Sequence, residues 1–155
     1  MATMVIDGGA SGVIAPYVES ATQVQQLRGA IKKRPLKGKT LEETLAGKPL
    51  QSPLHEYVSQ SADNRLLIVN IESVPAIDAL ESILKVPDLD GILIGPHDLT
   101  CSLSIPEQYD HPIFLNACEL IFKMARKHGV GAGIQKIHTS LNGLQQSRQM
   151  LTLVL

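Results

Sequence analysis

The sequence predicts an α/β fold in which four parallel strands alternate with helices, as in part of a (β/α)8 barrel. Short apolar runs rich in β-branched residues alternate with longer segments whose apolar residues recur at helical spacing. Strands joined by such helical crossovers lie parallel in one sheet. The 155 residues are too few for a closed barrel, which typically needs about 250, so we expect a fragment that forms an internal half-barrel.

The N-terminal part of the chain predicts a helix end, a strand and a complete helix. Residues 6–10 are typical of a helix that ends at a glycine cap, and residues 11–17 (SGVIAPY) predict the first strand. Ser20, with Gln23 three positions later, forms the capping-box pattern that begins the next helix. Pro35 ends that helix because proline cannot continue it.

A long insertion separates this helix from the second strand. Glycine and proline interrupt residues 36–64, and we expect irregular structure there, with short helical pieces only at residues 41–45 and 54–57. The run LLIVNI at residues 66–71 then predicts a buried strand, and Ser73 predicts the cap of the helix that follows it.

The last two strands and the tail complete the predicted organisation. Residues 90–95 predict the third strand, and a long amphipathic helix follows, which ends at Gly129. Residues 130–135 predict the fourth strand. We therefore expect a partial barrel domain at residues 1–135 and a divergent tail at residues 136–155, with a weak helix followed by an apolar end.

Composition excludes several classes of protein. Hydrophobic residues make up 44% of the chain and charged residues 19%, which is typical of a folded domain. A net charge of −1 gives no reason to expect a nucleic-acid partner. No apolar run approaches the roughly 20 residues of a membrane span, so we expect no membrane partner. Cys101 and Cys118 form neither a CxxC nor a zinc spacing, which favours reduced thiols in a cytoplasmic protein.

Glu72 and Asp98 form the most informative pair of residues. Each lies at or just beyond the end of a predicted strand, and one helical crossover separates the two strands. In α/β barrels the carboxyl ends of neighbouring strands deliver polar groups to a shared active site. Two carboxylates there, with no Cys or His cluster nearby, favour a hard divalent cation. Taken singly, Glu72 could instead favour a helix N-terminus, and Asp98 could cap a short turn.

The residues that join the third strand to Asp98 predict a substrate contact. Gly95 and Pro96 make a tight strand exit, in which glycine lets the backbone approach a ligand closely. The N–H groups of His97 and Asp98 could then bind a small anion such as a substrate carboxylate, although an ordinary turn has the same composition. Asp7 lies near the start of a strand, where a capping or surface role is the usual one.

Three segments of the chain resemble one enzyme family. GGASGVIAPYVES, LLIVNIES and LDGILIGPHDLTCSLSIPEQYDHP resemble the metal-dependent pyruvate aldolases of the aldolase/citrate lyase superfamily, such as 4-hydroxy-2-oxoheptanedioate aldolase and 2-dehydro-3-deoxyglucarate aldolase. The resemblance covers about residues 6–134. It implies a (β/α)8 barrel, commonly assembled as a homo-hexamer.

The resemblance also implies roles for individual residues. Glu72 and Asp98 match the two ligands of a divalent metal, Mg²⁺, Mn²⁺ or Co²⁺, and the backbone at His97 and Asp98 matches the part that holds the pyruvate carboxylate. Asn70 stands where many members have a substrate-contacting Gln, one methylene longer. Asp7 matches the partner of the family's catalytic His. That His and the oxyanion-stabilising Arg belong to earlier strands, which this chain lacks.

The implied activity is the reversible cleavage of a 4-hydroxy-2-oxo acid into pyruvate and an aldehyde, with a metal-stabilised enolate. Two other hypotheses stay open at this point. The chain could belong to a citrate- or malyl-CoA lyase relative, which must accommodate coenzyme A, or it could be a catalytically inactive fragment.

Overall fold

The computed structural model describes residues 2–62, 64–135 and 151–154. Its elements in chain order are α1 Ala2–Asp7, β1 Gly12–Ala15, α2 Ala21–Lys32, α3 Gly38–Leu45, α4 Ser52–Ala62, β2 Leu66–Ile71, α5 Val74–Asp78, α6 Leu80–Leu84, β3 Gly91–Ile94, α7 Pro96–Ser102, α8 Pro112–His128, β4 Gly131–Gln135 and β5 Leu151–Val154. No helix among these described residues is long and apolar enough to cross a membrane.

The strands form one sheet in the order β1-β2-β3-β4-β5. The first four strands are parallel, as predicted, and Val69 pairs with Ala15 on one side and with Ile92 on the other. β5 runs antiparallel to β4, so the apolar end of the tail forms a strand. The weak helix predicted for the tail falls on residues 136–150, which lie outside the described residues.

The sheet has one face packed against helices and one face turned away from them. Side chains alternate between the two faces of a strand. In β2, Leu67, Val69 and Ile71 are fully buried and belong to a cluster that includes helix residues such as Ile31 of α2 and Ile83 of α6. Asn70 and the residue that follows β2, Glu72, therefore lie on the opposite face.

The prediction for residues 36–64 was wrong in extent. Two helices, α3 and α4, occupy most of this segment in place of short helical pieces. Leu41 and Leu45 of α3 pack against Gly29 of α2, where an added Cβ would come within 3.4 Å and 3.2 Å of their methyl groups. This contact with α2 thus stabilises α3. The predicted helix after Ser73 is likewise divided into α5 and α6.

The predicted helix caps are confirmed. The N–H of Gln23 donates to the hydroxyl of Ser20 at 3.4 Å, and the side-chain oxygen of Gln23 accepts from the N–H of Glu19 at 2.8 Å. Gly129 follows α8 with a left-handed φ of 69°, a conformation that glycine adopts without steric cost.

Both cysteines are free, and burial raises the pKa of the Cys118 thiol to about 11.

An ion-pair cluster lies where the strands begin. The ammonium of Lys32, at the end of α2, lies 2.7 Å from the Oδ2 atom of Asp90, and the same oxygen accepts from the N–H of Leu67 at 2.6 Å. Asp88 pairs with Arg28 at 2.9 Å and with Lys33 at 2.8 Å. These contacts join α2 to the start of β2 and β3, which is the end of a barrel that usually serves stability.

We predict that Asp90→Asn lowers the free energy of unfolding by about 1.5–3 kcal/mol, because a charged hydrogen bond is lost and Lys32 is left without its partner. Urea denaturation measures the change. The matched control is Glu43→Gln, which breaks a more exposed pair with Lys48 and should cost less than about 1 kcal/mol. Equal losses in the two variants would contradict the role given to Asp90.

A second prediction concerns pH. Partial burial raises the pKa of Asp88, but hydrogen bonds and positive charge from Lys33 and Arg28 outweigh it and hold the pKa below its ordinary value of 3.8. The ionised Asp88 therefore stabilises the fold above about pH 4, and this contribution is lost as the pH falls through the folded-state pKa. The wild type should exceed Asp88→Asn in unfolding free energy at pH 7, and the difference should shrink toward pH 2. A difference that grows on acidification would contradict this assignment.

Candidate active site at the carboxyl ends of β2 and β3

Glu72 is a buried carboxylate directly after β2, and its side chain accepts two hydrogen bonds. Only 5% of the residue is exposed. Its Oε1 atom accepts from the N–H of Tyr17 at 2.7 Å, and its Oε2 atom accepts from the side-chain amide of Asn70 at 2.9 Å. A carboxylate offers about four lone-pair positions, so roughly two remain for a ligand.

Gly95 provides the space that Glu72 occupies. Ile71 pairs with Ile94, so that Glu72 lies beside Gly95 at the ends of the two strands. A Cβ added at Gly95 would lie 2.6 Å from Oε2 of Glu72 and 3.1 Å from its Cβ. Any other residue at position 95 would displace this carboxylate. The predicted close approach at Gly95 therefore involves a side chain of the same protein.

The residues after Gly95 form the first turn of α7. Gly95 is the N-cap, Pro96 is the first helical residue, and Asp98 lies in the first turn with an exposed side chain. Asp98 is thus not the cap that the alternative interpretation expected. The N–H groups of a first helical turn have no partner within the helix, which leaves those of His97 and Asp98 free of intrahelical bonds. The imidazole Nδ1 of His97 lies 3.8 Å from the carboxylate of Glu107.

Hydrogen bonds tie together the loops that follow β1, β2 and β3. The hydroxyl of Ser73 donates to Glu19 at 2.7 Å, and the N–H of Val74 donates to the hydroxyl of Ser102 at 2.9 Å. Tyr17, whose N–H reaches Glu72, has a left-handed φ of 56°, which is uncommon for a residue other than glycine. The three loops therefore hold Glu72 within one connected arrangement.

Sequence reasoning missed two contributors to this end of the sheet. Glu19 lies four residues after the end of β1, as Asp98 lies four residues after the end of β3, so its position after a predicted strand was a usable signal. Tyr17 acts through its backbone N–H, and a backbone donor has no signature in the sequence.

Asp7 lies elsewhere. It is the last residue of α1, before β1 begins, and its carboxylate pairs with the guanidinium of Arg34 beyond the end of α2. This is the end of the sheet where the strands begin, so the structure does not bring Asp7 together with Glu72. The contact with Arg34 corresponds to the surface role that is usual at such a position. Of the acids near β1, Glu19 is at the carboxyl end.

The donor set fits a hard divalent cation. Glu72 and Asp98 offer carboxylate oxygens, and the Oδ1 atom of Asn70 is a buried acceptor with no hydrogen-bond partner within the described part of the chain. Across that part, no three His, Cys, Asp or Glu side chains gather into a metal cluster. A site with two protein carboxylates matches the way Mg²⁺ is bound, because Mg²⁺ usually keeps several waters or substrate oxygens.

Comparison with known proteins identifies the family. The family model described as HpcH/HpaI aldolase/citrate lyase matches residues 1–153. The chain belongs to the HpcH/HpaI aldolase/citrate lyase family. Similar relatives include the 2-keto-3-deoxy-L-rhamnonate aldolases of Shigella boydii and Escherichia coli K12, which are 33% identical to this chain over 129 residues. The match covers 83% of this chain and 48% of each relative.

Solved structures agree with the fold of this family member. The HpcH/HpaI aldolase from Desulfitobacterium hafniense is 28% identical with a TM-score of 0.69, over 86% of this chain and 51% of the other. The citrate synthase SbnG is 26% identical with a TM-score of 0.71, over 88% of this chain and 52% of the other. The chain thus spans about half the length of the relatives it matches. The predicted α/β fold with four parallel strands is confirmed, and so is the predicted family.

We predict that Gly95→Ala displaces Glu72, because the new methyl group overlaps Oε2. The free energy of unfolding should fall by about 1–3 kcal/mol, as expected for overpacking. Urea denaturation tests the prediction. Gly8→Ala is the matched control, since a Cβ there would meet its nearest atom at an ordinary 3.4 Å. Equal stability of the two variants would show that position 95 has room for a side chain.

Proposed function

We propose that this chain carries the metal-binding part of a metal-dependent aldolase active site. The reaction is the reversible cleavage of a 4-hydroxy-2-oxo acid into pyruvate and an aldehyde. The observation that carries this proposal is the buried Glu72, fixed by two donors at the carboxyl end of β2 in a member of an aldolase family. An acid buried in that way at that end of the sheet is poorly explained by a solvated surface role.

In this proposal Glu72 and Asp98 hold a divalent cation, Mg²⁺, Mn²⁺ or Co²⁺. The two residues follow adjacent strands. Gly95 connects them, because it contacts Glu72 and is also the N-cap of the helix that contains Asp98. When bound, the cation supplies positive charge that stabilises the enolate of pyruvate. The binding residues need to be rigid for this purpose, and the donors of Tyr17 and Asn70 restrict the carboxylate of Glu72.

The remaining residues of the proposed site orient the substrate. The backbone from Gly95 to Asp98, with Pro96 fixing the first helical residue, presents the N–H groups of His97 and Asp98 to the pyruvate carboxylate. A donor pair placed this way would select a carboxylate-bearing acid. The groups that move protons, a His base and an Arg, come in this proposal from the part of the relatives that the chain does not match. Asp7, at the opposite end of the sheet, has no role in it.

A second candidate function is supported by the comparisons. The family description includes citrate lyases, and the solved structure of the citrate synthase SbnG is similar to this chain. A lyase that acts on a coenzyme A thioester would bind that thioester and show no preference for free oxo acids. Binding of pyruvate without binding of acetyl-CoA favours the aldolase. An inactive chain would bind neither.

We predict that the chain binds Mn²⁺ and that Glu72→Gln and Asp98→Asn each weaken binding at least tenfold, because each removes a charged oxygen ligand. Isothermal titration calorimetry measures the dissociation constants. Asp110→Asn, which removes an exposed acid in the turn before α8, is the matched control and should bind as the wild type does. Unchanged binding after Glu72→Gln would remove the metal assignment.

The same variants test the reaction. With pyruvate, a short aldehyde and Mn²⁺, the chain should turn over more slowly than a full-length relative, because the proposed base and Arg lie outside it. Any residual activity should disappear in Glu72→Gln. Turnover equal to that of a full-length aldolase would contradict this division of the active site. Sedimentation would show whether the chain also shares the hexameric assembly that is common in the family.

A further inference from the structure

We infer that Asn70 is a positioning residue, whose amide N–H group fixes the carboxylate of Glu72. This inference rests on the proposed function and narrows it. It assigns Asn70 a role that is exerted through Glu72, whereas the resemblance implied only a contact with the substrate.

The contact between the two side chains follows from the geometry of β2. Residues two apart in a strand point to the same face, and Asn70 and Glu72 lie on the face opposite the helices. The Nδ2 atom of Asn70 lies 2.9 Å from Oε2 of Glu72, and only 6% and 5% of the two residues are exposed. A hydrogen bond to an ionised group in such a buried position is stronger than a neutral one.

The length of the side chain matters for this role. The asparagine amide is one methylene shorter than that of glutamine, and at this length its N–H group meets the neighbouring carboxylate. Gly95 lies close to the same Oε2 atom, since a Cβ there would come within 2.6 Å of it. The carboxylate of Glu72 is therefore held by the Asn70 amide at one oxygen and by the Tyr17 N–H at the other.

The orientation of the amide decides what else Asn70 can bind. Its nitrogen must face Glu72, because two acceptor oxygens in contact would repel each other. The Oδ1 atom then remains buried without a donor within the described residues. An acceptor pairs with a hydroxyl group or a water molecule and not with a carboxylate.

The first test separates positioning from a purely structural role. Asn70→Leu keeps the volume but removes one donor from the buried carboxylate of Glu72, so the melting temperature should fall, and Mn²⁺ binding is measured well below the unfolding transition. The dissociation constant for Mn²⁺ should rise about 10- to 100-fold, as expected when a group that orients a metal ligand is removed. Asn116→Leu, at an exposed position on α8, is the matched control. Mn²⁺ binding by Asn70→Leu within twofold of the wild type overturns the inference, while the metal assignment stands.

The second test does not need a metal. In ¹⁵N-correlated NMR spectra of the metal-free chain, the side-chain amide of Asn70 should shift in Glu72→Gln, since the charged acceptor is lost. It should not shift in Asp110→Asn. An unchanged Asn70 signal in Glu72→Gln overturns the inference, whatever the Mn²⁺ titration shows. A shift in that variant with no Mn²⁺ binding by the wild type supports the contact and removes the proposed function alone.

Discussion

The buried position of the Glu72 carboxylate is the constraint on which the carboxyl end of the sheet depends. A buried carboxylate needs hydrogen-bond donors in place of water. One donor comes from Tyr17 in the loop after β1, the other from Asn70 in β2, and the space comes from Gly95 after β3. The position of Glu72 therefore depends on the register of three adjacent strands. A shift of any one strand would remove a donor or close the space.

The opposite end of the same strands has a different role. Lys32 of α2 and the N–H of Leu67 share one oxygen of Asp90, so a single carboxylate connects a helix to the starts of β2 and β3. β3 is thus fixed by Asp90 at one end and makes room for Glu72 at the other. This separation explains why the two sets of acids differ: the acids at the start have cationic partners, whereas Glu72 is held by neutral N–H donors and keeps lone pairs for a ligand.

Local sequence patterns predicted the elements that carry strong local signals. β2 was predicted with its observed bounds because a run of β-branched and aliphatic residues between polar ones is itself the signal of a buried strand. The extent of α3 and α4 was missed because few of their residues are buried, and α3 is held by the contact of Leu41 and Leu45 with Gly29. That contact joins segments distant in the chain, which no local pattern records.

The sequence by itself determined the α/β class, the parallel order of the first four strands, the family, and Glu72 and Asp98 as the acids at the carboxyl ends. The fold class and the parallel strands follow from local periodicity, the two acids from their positions after strands, and the family from the resemblance of three segments to known aldolases. Only the tertiary structure decided which atoms hold Glu72, that the Asn70 amide faces it, and that Asp7 pairs with Arg34 at the other end. Those contacts depend on strand register and on backbone donors, and neither is encoded by the identity of a single residue.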